Sequence, residues 1–348
     1  MEETGLERPG SRGGLPSFVK FLLFLGVVAV AIATLTRFKA IQRSANSGLY
    51  GIRVPRYGTS DPLLQQAFAT NDVDAIKRRL SQIPRSEIRR NVVDILANGP
   101  TAKSLDAILS AGWDPHGSRR DDGPLIGAVS RGDVQVIGVL LRHGVSPNST
   151  GPGGQPPVLF EAVRGPAGQP SPNSAATVLC LLDHGAKPDI EYKPAKPMPD
   201  YPSTTRPLIE AAKTANYDAM KVLLEHGADP NWTPPGGAPA IIAAGGSLDT
   251  PRLTAILLEH GARADATGTL RRLLSEWRFE TITAPALYFD AEDGDAQSVK
   301  VLLSHGADPY VKASNGKTAI EAARGDALTY FRSHANTQSN RDYRIIHR

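Results

Sequence analysis

Residues 205–231 read TRPLIEAAKTANYDAMKVLLEHGADPN, and this stretch decides the fold of the 348-residue chain. Pro207 suits the first turn of a helix, where its missing N–H is no loss. The small Ala211 and Ala212 that follow allow a neighbouring helix to approach closely. After a short loop comes a second helix, whose Leu223–Leu224 pair buries one face. His226 ends its last turn, and Gly227 takes the left-handed position just beyond, free of a Cβ clash. Pro230 then bars continuation and directs the chain into an extended turn.

The second half of this unit returns on both sides, as LSAGWDP (109–115), LLRHGVSPN (140–148), LLDHGAKPD (181–189), LLEHGARAD (257–265) and LLSHGADPY (302–310). The glycines at 112, 144, 185, 227, 261 and 306 are separated by 32, 41, 42, 34 and 45 residues, a base period of about 33 with insertions. The first half recurs as PLIGAVSRGD (124–133), VLFEAVRG (158–165), PAIIAAGGSLD (239–249), PALYFDAEDGD (285–295) and TAIEAARGD (318–326). Weaker units at 62–83 and 87–117 and a terminal unit at 315–334 bring the expected number to seven or eight. A unit this small cannot bury its apolar face alone, so neighbours must stack, and stability is approximately a sum of interface contributions. Arg78, Arg79, Arg85, Arg89 and Arg90 suit the polar outer face of a capping unit.

These residues resemble the ankyrin-repeat family, whose unit has a TPLHxAA-like first helix, an xxG(H/N/D) loop, a VxxLLxxGAxxN second helix and a hairpin finger. The match is fullest at 205–231 and extends over Asp61 to His334. The family's TPLH histidine is replaced, by Ile209 and Ile320 among others, so the hydrogen bonds it makes across the turn are not carried over. The resemblance implies an all-α solenoid of helix-turn-helix units. It also implies a non-enzymatic surface of fingers and first helices that binds a protein partner.

Composition agrees with a packed domain: 41% of residues are apolar, and 33 Gly with 28 Pro provide many turns. Cys180 stands alone, which excludes an intrachain disulfide framework and CxxC chemistry. The net charge of +4 is mild and carries no localised basic stripe, so no nucleic-acid partner is expected.

The N-terminus reads differently. Phe21 to Thr36 (FLLFLGVVAVAIATLT) is free of charge, and extension back to Ser17 with Lys20 snorkelling gives about 20 residues, or ~30 Å of helix. The expected organisation is a tail at 1–16, a transmembrane helix at 17–36 contacting the bilayer, a basic juxtamembrane linker at 37–60, the repeats at 61–334 and a polar tail at 335–348. The excess of basic residues after the span favours a cytoplasmic C-terminal domain. The rival reading is a signal peptide cleaved after Ala29-Val30-Ala31 or Ala31-Ile32-Ala33, which makes the repeats an exported soluble binding module.

Three insertions separate this chain from a regular stack. Gly165 to Ser174 lengthens a loop between helices, and Glu191 to Thr205, with four prolines, extends a finger stiffly. Thr269 to Thr283 places Leu270, Leu273, Leu274 and Trp277 at i, i+3, i+4 and i+7, which predicts an amphipathic helix with Arg271, Arg272 and Arg278 outside. Rigid aromatics and Arg dominate interface energies, so the candidate partner contacts are Arg119, Arg120, Tyr192, Tyr201, Trp232, Trp277 and Tyr310.

Chemical readings are weaker. Histidines 143, 184, 226, 260 and 305 share one repeat position, but equivalent atoms of stacked helices lie ~8–10 Å apart, too far for two ligands each ~2.1 Å from one metal. Their expected role is at the negative end of each second helix. The acids Asp290, Glu292, Asp293 and Asp295 carry glycine where a calcium loop wants an oxygen, and read as solvated loop acids. An enzyme using 269–295 is the remaining alternative, and no cofactor is implied. Cys180 reads as a small buried hydrophobe.

Overall fold

The computed structural model describes residues 61–83, 101–113, 115, 123–151, 154–165, 173–194, 203–246, 249–275 and 278–334. The chain divides into Met1–Arg56 and Tyr57–Arg348, and every described residue belongs to the second unit. The expected span at 17–36, the linker and the C-terminal tail lie outside the described residues. Among the described residues no helix is long and apolar enough to cross a membrane.

Helices come in pairs. α1 (Pro62–Ala69) precedes α2 (Val73–Gln82), and α3 (Ala102–Ser110) is the second helix of the next unit. Then follow α4 (Gly123–Arg131) with α5 (Val134–Arg142), and α6 (Val158–Arg164) with α7 (Ser174–Asp183). The fifth pair is α8 (Pro207–Lys213) with α9 (Tyr217–Glu225), and the sixth is α10 (Ala240–Ala243) with α11 (Thr250–Glu259). The seventh is α12 (Ala286–Asp293) with α13 (Ala296–Ser304). α14 (Ala319–Ala322) and a helical segment at 325–334 close the series.

First helices stack on first helices from α4 to α14, and second helices on second helices from α2 to α13, so the solenoid has two layers. Its core lies between them. The leading leucine of each Leu-Leu pair, at Leu140, Leu181, Leu223, Leu257 and Leu302, is fully buried. Each contributes roughly 1.5–3 kcal/mol of transfer free energy. The six glycines of the repeat all sit at φ between 84° and 91°, the left-handed cap conformation that the period demands.

The loops between paired helices repeat in detail. Asp72, Asp133, Asn216 and Asp295 cap the second helices by accepting the N–H of Ala75, Val136, Ala219 and Ser298. The backbone N–H of each capping residue donates back to the carbonyl five residues earlier, at Ala67, Ala128, Ala211 and Asp290, over 2.9–3.0 Å. In the fifth pair the left-handed position before the cap is held by Ala215 at φ 51°, where a Cβ is strained.

The third insertion corrects the sequence reading. Thr267–Ser275 and Arg278–Pro285 form an antiparallel hairpin, β1 and β2, and not an amphipathic helix. The leucine spacing fits a helical stripe, but β-branched Thr267, Thr269, Thr281, Ile282 and Thr283 flank it and favour a pleated strand. Along β2, Ile282 and Ala284 turn inward and are buried, while Thr281 and Thr283 are exposed. Neighbouring fingers fix the stem: Thr269 N donates to Gly237 O at 2.9 Å, and Ser314 N donates to Thr283 O at 2.9 Å. A Cβ on Gly268 would meet Ala238 and Pro239 at 2.8 Å, so the close approach of the preceding finger requires glycine. The hairpin is therefore an enlarged finger, and the fold is helical with one two-stranded sheet among the described residues.

Candidate partner-binding face

The shorter fingers show what positions the candidate aromatics. Tyr192 and Thr205 exchange backbone hydrogen bonds of 3.0 Å each, which closes the base of the second insertion. The Tyr192 ring meets Phe160 edge-on at 5.7 Å, and its hydroxyl donates to Gly154 O at 3.3 Å. Tyr192 thus braces its own finger against the preceding one.

Trp232 is half-buried beneath Arg206, whose guanidinium carbon lies 4.4 Å from the indole centroid. Arg206 also reaches Glu191 at 2.8 Å and Asp189 at 3.6 Å. The stack covers one indole face and restrains the ring. Tyr310 differs from both: it is 63% exposed, beside Val311, on the finger after α13. Its backbone N–H donates to Asp308 Oδ1 at 2.8 Å, so the turn beneath it is fixed. The structure therefore places Tyr192, Trp232 and Tyr310 along the row of fingers, the first largely consumed by internal contacts and the last presented to solvent. Arg119, Arg120, Tyr201 and Trp277 lie outside the residues whose side chains are described.

The histidine row acts as expected at helix ends. The Nδ1–H groups of His184, His226, His260 and His305 donate to the carbonyls of Cys180, Val222, Ile256 and Val301 at 2.8–2.9 Å. His143 instead turns its Nε2 to Asp106 Oδ1 of the preceding unit at 2.9 Å. Cys180 is half-buried, and burial together with Asp183 raises its thiol pKa, away from nucleophilic use.

The sequence reading missed the burial of two acids. Glu210 on α8 accepts from Arg164 Nε at 2.9 Å and Thr205 Oγ1 at 3.1 Å, with Lys213 at 3.7 Å, and so ties the fourth pair to the fifth. Asp290 corrects the picture of a solvated acidic loop: it lies within α12, 4% exposed, and its Oδ2 has no hydrogen-bond partner. Burial, then the charges of Asp295 and Asp293, push its pKa up to about 8. Counting back five residues from Asp72, Asp133 and Asn216 reaches Ala67, Ala128 and Ala211, and the same count from Asp295 singles out Asp290.

Comparison with known proteins bears on the same stretch that opened the sequence. The ankyrin-repeat family model matches residues 206–233. Residues 206–233 thus form an ankyrin repeat, and the caps, glycines and two-layer stacking of that unit recur along the described residues. A probable E3 ubiquitin-protein ligase of Oryza sativa subsp. japonica, XBOS34, is 29% identical over 109 residues, 31% of this chain and 19% of that protein. Among solved structures, the ankyrin repeat domain of human ASB11 is similar with a TM-score of 0.48 at 21% identity, covering 66% of this chain and 90% of that one. The ankyrin repeat domain of Bcl-3 gives 0.45 at 21% identity, over 77% and 98%. Ankyrin repeats are protein–protein interaction modules.

Proposed function

We propose that the protein is a membrane-anchored ankyrin-repeat module that tethers or regulates a protein partner on the cytoplasmic side, without chemistry of its own. The exposed Tyr310 at the end of a finger row that also holds Trp232 rigid is the observation that carries the partner-binding half of this reading. The charge-free run from Phe21 to Thr36 supports the anchor.

Fingers are suited to this work because each is fixed at its base by its neighbour and directs side chains away from the core. A partner then meets a preformed surface and loses little chain entropy on that side. The test is recovery of bound proteins by proximity labelling from cells expressing the full chain. The combined W232A, W277A and Y310A changes are expected to remove the specific partners while the fold, checked by circular dichroism, remains intact. Retention of the same partners by a folded variant would abandon this face.

A further inference from the structure

The slot five residues before the second-helix cap is a fixed place in this solenoid. Ala67, Ala128, Ala211 and Ala244 occupy it in four units, all buried, and their small size lets first helices pack closely. In the seventh pair the slot holds Asp290, equally buried, with its carbonyl in the same hydrogen-bonded position as those of Ala67, Ala128 and Ala211. Its Oδ1 lies across from the sixth pair: a Cβ built on Gly245 would stand 3.8 Å from it. Oδ2 is unpaired.

Among the described residues, no cation pairs with this carboxyl. Within its own pair, Asp293 and Asp295 repel a negative charge there, and Asp295 already accepts from Gln297 N, Ser298 N and Ser298 Oγ. Lys300 on α13 lies over the Tyr330 ring, and Arg324 reaches Glu292 at 3.4 Å. α14 brings Glu321, engaged with Thr318, while β2 brings Glu280 and the loop of the sixth pair Asp249. α10 has no ionisable side chain and is only four residues long.

We infer that the joint between the sixth and seventh helix pairs is a pH-operated hinge: protonated Asp290 allows α12 to sit against the Gly245 loop, and its ionisation releases the seventh and eighth pairs from the stack. A solenoid suits such a device because each pair touches only its neighbours, so one weakened interface opens without unfolding the rest. The β1–β2 hairpin and the Tyr310 finger flank α12 and α13 in sequence, so an opening joint changes the finger row where it is most exposed. The closed-state pKa of about 8 sets the upper end of the pH range over which opening rises. A carboxyl raised in the closed state and ordinary in the open state favours closure fully below about pH 4. Opening then rises tenfold per pH unit until the closed-state value is passed.

The experiment is native-state hydrogen exchange on the full chain between pH 5 and pH 8, corrected for intrinsic exchange rates, with α8 and α9 as internal reference. The opening constant of α12 and α13 is expected to rise on the order of a thousandfold in the native chain, while α8 and α9 change little. In D290N, and in D290A, which restores the residue of the other four units, the rise should shrink to about threefold or less. An equal pH response in the native chain and both variants would overturn the hinge. So would opening of α8 and α9 in step with α12 and α13, since that is global unfolding.

Discussion

The fifth and seventh helix pairs share one design and treat a buried acid in opposite ways. On α8, Glu210 is met by Arg164 of the fourth pair and by Thr205 and Lys213 of its own unit. On α12, Asp290 meets no partner at Oδ2 and two like charges close by. Asn216, the cap of the fifth pair, likewise donates from Nδ2 to Val163 O and Ser174 Oγ of the fourth, both at 2.8 Å. A buried polar group can therefore be a rivet or a weak point in one architecture, and its partners decide which.

The largest expected effect follows from this contrast. D290A should stabilise the C-terminal pairs by on the order of 4 kcal/mol near pH 7.5. The sign follows from the raised pKa: the native carboxyl contributes stability that is complete below about pH 4 and is lost as pH rises through about 8. A denaturant titration at pH 5 and pH 7.5 checks it, with the variant's advantage growing with pH. E210A should go the other way and lose about 2–3 kcal/mol, because Arg164 and Thr205 are left without their acceptor. If both alanine variants moved stability in the same direction, the contrast between the pairs would fail.

N216A should cost about 2 kcal/mol, since it removes a helix cap and takes away the amide that donates to Val163 O and Ser174 Oγ. Its melting temperature against that of N216D, which keeps the capping oxygen and loses the two donations, separates the cap from the rivet. The smallest effect is a gain. A215G should add about 1 kcal/mol by relieving the left-handed strain at φ 51°, visible as a small rise in denaturant midpoint.

The regular part of this architecture was legible because its signals are steric. A glycine every ~33 residues after a Leu-Leu pair has few explanations, and φ near 90° at Gly227 and its equivalents is the one that applies. The hairpin was not legible, because Leu270, Leu273, Leu274 and Trp277 satisfy helical spacing while strand pairing is decided by distant residues. Gly237, Ala238 and Ser314 hold its stem, and only Gly268 hints at a close approach. Among the candidate contacts, Tyr192 looked like a surface aromatic until its bonds to Thr205 and Gly154 placed it inside the finger framework. Exposure of Tyr310 and partial cover of Trp232 depend on turns and on Arg206 in ways that residue type alone does not express.

The proposed anchoring rests on the charge-free run from Phe21 to Thr36, so the most direct test is the state of that segment in cells. A C-terminally tagged chain is fractionated, exposed to protease in sealed cells, and weighed intact by mass spectrometry. The account predicts a full-length, membrane-bound chain whose repeats are protected until the cells are opened. A mature chain beginning near Thr34, or repeats digested in sealed cells, would contradict it and make the protein an exported binding module.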